Sequence, residues 1–172
     1  MRKILVLFAV ILCFTSCKKE PFFSNFDSIE YYSANKNYYS KFHNRLNEKS
    51  DTNYIKIIES DFPQKLEDSL FYSELNSTKF IVKKVSKSDT NSFKELFNDE
   101  TFTETYTTAC SPDYRNILIL KKSNKIVGVL KICFGCEMYY LIGEDNEKKK
   151  IQKSGGIANL ELEKIFNKYQ CK

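Results

Sequence analysis

The chain has 172 residues, with 27 Lys and Arg against 22 Asp and Glu, one His, six Cys, no Trp and 42% apolar residues. That length and apolar content fit one packed domain and exclude a multidomain assembly, while 14 Phe and 11 Tyr supply enough bulky surface to exclude wholesale disorder. The net charge of +5 is mild and mixed, without the concentrated Lys/Arg face of a nucleic-acid binder, so no nucleic-acid partner is expected.

The chain opens with two cations, Arg2 and Lys3, then an unbroken apolar run from Ile4 to Phe14, then the small residues Thr15 and Ser16 before Cys17. This is the three-part layout of a secretory signal, and its apolar run is too short to cross a hydrocarbon core of about 30 Å. The stretch Phe14-Thr15-Ser16-Cys17 resembles the lipobox of bacterial lipoproteins, with Phe where Leu is usual. The resemblance implies that residues 1–16 are a signal peptide and that Cys17 is acylated and becomes the lipid-bearing N-terminus. Cleavage before Cys13 competes poorly because Leu12 is not small; a secretory signal cut elsewhere and a retained anchor are the other readings. Two or three acyl chains suffice for stable anchoring where one does not. The expected partner is therefore a membrane, reached through the N-terminal lipid, and the expected location is the bacterial cell envelope. In the lipoproteins that this stretch resembles, a residue such as Lys18 after the Cys, rather than Asp, is the pattern that allows onward transport, so the resemblance implies the outer membrane; the sequence leaves open the face and any protein partner.

Residues 17–25 read as lipidated Cys plus linker, and 26–172 as a single α+β domain. Ser28 to Ser33 suits a short strand. Tyr38, Phe42 and Leu46 recur at helical spacing between Asn35 and Glu48. Asn53 to Ile58 reads as a strand, and Gln64 to Phe71 as a helix with Pro63 in its first turn. Lys79 to Val85 is rich in β-branched residues, hence a strand. Ser88, Asp89 and Thr90 offer caps for a short helix carrying Phe93, Leu96 and Phe97.

Asn116 to Leu120 and Ile126 to Ile132 are apolar runs separated by Lys121 to Lys125, the spacing of a β-hairpin. Both runs are apolar on both faces, which places them in the middle of a sheet covered by helices. Met138 to Ile142 adds a strand, and the charged Glu144 to Lys150 reads as a solvated turn. After Gly155-Gly156, the residues Leu160, Leu162, Ile165, Phe166 and Tyr169 mark a C-terminal amphipathic helix. The expected fold class is α+β, an antiparallel sheet with a central buried hairpin and a few packed helices.

With Cys13 removed and Cys17 acylated, Cys110, Cys133, Cys136 and Cys171 remain, and four thiols permit three pairings. A turn centred near Ser123 makes facing residues sum to about 246, which sets Cys110 opposite Cys136 and near Cys133. A structural disulfide from Cys110 to Cys136 or to Cys133 would contribute about 3 kcal/mol in an oxidising compartment; a Cys133–Cys136 bridge with Cys110–Cys171 is the alternative. Cys133-Phe134-Gly135-Cys136 also has redox spacing, but a strand rather than a helix follows it. Four Cys could in principle bind zinc, yet only one CxxC knuckle is present. The segment Cys110-Ser-Pro-Asp-Tyr-Arg115 with Ile132-Cys133-Phe134-Gly135-Cys136 is similar to a pattern in small bacterial proteins without an assigned activity, which implies a shared fold and sulfur cluster and no reaction.

His43, beside Lys41, Asn44 and Arg45, reads as solvated, and no Gly-x-Ser-x-Gly elbow or phosphate loop accompanies it. Glu161 and Glu163 are two apart and cannot share a helical face. Lys148-Lys149-Lys150 lies among acids as a soluble turn, and the pairs Tyr31-Tyr32, Tyr38-Tyr39 and Tyr139-Tyr140 read as packing. No catalytic residue, metal or cofactor is expected. The sequence points to a non-catalytic binding or structural role at the membrane; a thiol redox or metal-binding protein using Cys133 and Cys136, and an immunity-like adapter for one protein partner, are the alternatives.

Overall fold

A computed structural model describes residues 25–43, 51–98, 110–144, 148–152 and 157–170. In chain order these form β1 (Ser28–Ala34), α1 (Lys36–His43), α2 (Thr52–Glu59), α3 (Ser69–Leu75), β2 (Phe80–Lys84), α4 (Lys87–Asn98), β3 (Asn116–Lys122), β4 (Lys125–Cys133), β5 (Met138–Gly143), β6 (Lys148–Gln152) and α5 (Ile157–Asn167). The fold is α+β: the strands make one sheet of order β2-β1-β3-β4-β5-β6, every neighbouring pair antiparallel.

The expected hairpin occupies the two central places of this sheet. Side chains alternate across a strand, so a central strand sends successive apolar residues into the layers on its two faces, and the residues of β3 divide accordingly. Leu118 and Leu120 join Leu130, Ile132, Tyr139 and Leu141 beneath α4 and α5, where Phe93, Leu162 and Phe166 close the layer. Ile117 and Ile119 join Val129 and Ile142 on the other face, under Tyr54, Ile57 and Ile58 of α2 and Phe71 and Leu75 of α3. Phe166 is the keystone of the first layer, stacked on Tyr31 at 5.2 Å and edge-on to Phe93 at 6.2 Å between ring centroids.

The hairpin turns at Ser123 and Asn124, whose φ values of 48° and 65° are both left-handed, the geometry that matches strand twist in a two-residue loop. A bulge between Leu120 and Lys121 then shifts the ladder, so that Asn116 pairs with Ile132 and the facing sum is larger than the turn position alone gives.

Three expectations are corrected. Asn53 to Ile58 lies within helix α2, because the Asp51 carboxylate accepts from the Tyr54 backbone N–H and buries Tyr54, Ile57 and Ile58 at i, i+3, i+4. The second helix starts not after Pro63 but at Ser69, capped by Asp68, whose side chain accepts from the Phe71 N–H at 3.2 Å; the Phe62-Pro63 bond is cis. Lys148 to Lys150 is not a turn but the start of edge strand β6, where lysines discourage further strand addition. Helix α4 also begins earlier than expected, with Ser86 Oγ accepting from the Asp89 N–H. Leu46 lies outside the described residues.

Candidate functional site

Two adjoining features gather the chemistry of the domain: a sulfur corner at one end of the sheet, and a cavity beside it. Between Tyr114 and β3 the chain leaves the ladder, and Tyr114 N–H instead donates to Ile58 O at 2.7 Å. This swing carries Cys110 to the turn between β4 and β5, where it forms a disulfide with Cys136, Cα to Cα 5.9 Å. The pairing is one of those expected, but Cys136 lies in the turn and not across the hairpin ladder. Cys133, the last residue of β4, is a buried free thiol packed in the same cluster with Tyr114, Met138 and Tyr140. Its Sγ accepts from the Asp113 backbone N–H at 3.3 Å. The Cys133–Cys136 bridge is thus not the pairing adopted, since Cys136 is committed to Cys110. Cys13, Cys17 and Cys171 lie outside the described residues.

Sequence reasoning missed Lys131, which sits inside the apolar run of β4 and is fully buried. Its Nζ donates to Ser60 O and, at 2.9 Å, to Phe62 O, and lies 4.5 Å from the centroid of Tyr114. Tyr140 donates to Pro63 O at 2.7 Å, and Tyr114 to Asp61 Oδ1 at 3.3 Å. Burial, then the negative charge of Asp61, pushes the Tyr140 hydroxyl up to about 12, so it remains a donor at physiological pH. One charged residue inside a doubly apolar strand was the available signal, because a buried charge demands such partners.

The cavity, of about 230 Å³, opens where β1 ends and β3 begins. Lys36 from the start of α1, Asp113, Arg115 and Asn116 from the approach to β3, Phe134 from the β4–β5 turn, and Glu163 from α5 line it. Asp113 Oδ2 accepts from Tyr39 Oη at 2.6 Å and from Arg115 Nε at 3.2 Å. The Arg115 guanidinium also lies over the Tyr39 ring, 5.2 Å from its centroid. Burial, then the bond to Asp113, raises the Tyr39 hydroxyl to about 12 and fixes it as the donor. Asn116 is buried, and Tyr31 Oη donates to its Oδ1 at 2.7 Å, which orients the amide.

The remaining candidates fall elsewhere. His43 ends α1, and its side chain is outside the described residues. Glu161 and Glu163 are exposed. Tyr31, Tyr32, Tyr139 and Tyr140 are core residues, as their pairing on alternate faces of the sheet requires. Among the described residues no helix is long and apolar enough to cross a membrane, and no group of three His, Cys, Asp or Glu is placed to hold a metal. Comparison with protein-family models, with curated proteins and with solved structures finds no match to this chain.

Proposed function

We propose that the chain is an exported protein anchored to the bacterial cell envelope by lipid on Cys17, and that its disulfide-stapled α+β domain acts by binding a ligand. The observation that carries the reading is the Cys110–Cys136 bond. Disulfides persist in oxidising compartments and are rare in the cytosol, and the segment Arg2 to Cys17 is the feature of the sequence that would deliver the domain there. The cavity beside the bond supports a binding role, because its polar groups are held in place by Tyr39 and Tyr31 before any ligand arrives.

Expression of the full chain in a bacterial host with labelled palmitate tests the anchor. The intact protein should take up label and float with vesicles, whereas Cys17→Ala should do neither and should keep residues 1–16. Equal mass and equal flotation for the two proteins would refute it. The free thiol of Cys133 beside the disulfide favours thiol exchange as a second reading. A domain that swaps disulfides with an added dithiol on mixing, rather than only after denaturation, would favour that alternative.

A further inference from the structure

We propose that the cavity at the meeting of β1 and β3 receives a small zwitterion of the α-amino acid type, its carboxylate held by Arg115, Asn116 and Lys36 and its ammonium by Glu163. The inference rests on the binding role proposed above and supplies the ligand class. At about 230 Å³ the cavity falls below the range of roughly 300–1,000 Å³ that takes drug-sized molecules, which suits a ligand of amino-acid size.

The lining charges are not equivalent. Asp113 and Arg115 offset one another through the Nε contact, but Nε is one of several donors on the guanidinium, and no described residue accepts from Nη1 or Nη2. Asn116 has spent Oδ1 on Tyr31, so its buried amide is left with Nδ2, a donor for which no described residue is the acceptor. Lys36 and Glu163 make no ion pair or hydrogen bond among the described residues. Lys36, the remaining Arg115 donors and a fixed amide donor thus share a small space with two acceptors that have no partner among the described residues, the Glu163 carboxylate and the second oxygen of Asp113, which is buried.

One helix end agrees with this polarity: Lys36 lies in the first turn of α1, the end that favours an anion. A sugar fits less well, since carbohydrate recognition needs a bare aromatic face. Tyr39 is covered by Arg115 at 5.2 Å, and Phe134 packs against Phe166 at 5.8 Å. The apolar remainder of the lining, with Ala34 and Ile81, leaves room for a short side chain.

The test is calorimetric titration of the mature lipid-bearing protein in detergent with glycine, L-alanine, L-serine and L-valine, each to about 10 mM. N-acetyl-L-alanine, L-alaninamide and glucose serve as the controls. At least one free amino acid should bind, and its N-acetyl and amide derivatives should each bind about tenfold more weakly, because each lacks one charge. Glu163→Gln should abolish discrimination against the N-acetyl form, and Lys36→Gln should weaken every carboxylate-bearing probe. Both residues are exposed, so the variants should fold, which retention of the Cys110–Cys136 bond checks. No heat from any amino acid, equal binding of the acetylated form, or binding of glucose alone would overturn the ligand class. The mass of the acylated N-terminus, read on the same preparation, separates that failure from failure of the anchor.

Discussion

Lys131 is the residue whose burial is hardest to reconcile with its chemistry alone, since an ammonium in an apolar core is costly unless it is bonded. The carbonyls of Ser60 and Phe62 and the faces of Tyr114 and Tyr140 provide that bonding, and the lysine in turn fixes the loop after α2 against the sheet. Lys131→Met keeps the volume and removes the donor, leaving two carbonyls without it. The expected loss is about 2 kcal/mol, read as a lower denaturation midpoint at unchanged slope. An unaltered midpoint would show that the carbonyls find other partners. At the same scale the sulfur chemistry was partly legible: Cys110, Cys133 and Cys136 were expected together and lie in one cluster. The cavity residues were not, because Lys36, Arg115 and Glu163 are far apart in sequence and have no spacing that would single them out.

Carboxylates at element ends tie helices to their neighbours. Burial opposes ionisation of Asp51, but bonds from Lys79, Tyr38 and the Tyr54 N–H more than offset it and hold its carboxyl below the ordinary 3.8. Asp89 is lowered too, first by Lys168, then by Tyr169 and Ser86, which links the start of α4 to the chain just after α5. Both native values lie below the unfolded ones, so the stability these groups add is complete above about pH 5 and is lost as pH falls through the lowered native values. Asp51→Asn and Asp89→Asn should therefore unfold more readily than the parent at pH 7, and the difference should vanish toward about pH 2. A gap that stays constant across that range would mean that the charge is not what stabilises. The helix α2 was misread as a strand for a related reason. Its β-branched content argues for strand locally, and the Asp51 cap together with a buried face overrides that preference.

For the molecule as a whole, the disulfide closes a separation of 26 residues around the two central strands. Cys110→Ser with Cys136→Ser should cost about 3 kcal/mol, largely by releasing the unfolded chain. Peptide mapping after alkylation supplies the direct check. Cys110 and Cys136 should be recovered joined, and Cys133, being buried, should take up reagent only in denaturant. Recovery of Cys133 joined to Cys136 would contradict the arrangement. The two covered faces explain why the hairpin could be placed from sequence, whereas β6 could not: an edge strand needs only one partner and tolerates the lysines that make it look like a turn.

The amino-acid sequence by itself determined the α+β class, the central hairpin, the C-terminal helix and the company of three sulfurs, because each follows from short-range periodicity or from a turn only a few residues long. Tertiary structure alone decided which way residues 52–59 fold, where Lys131 finds its carbonyls, and that Arg115, Asn116 and Glu163 line one cavity. Those outcomes depend on burial and on partners tens of residues away, which a local pattern does not encode.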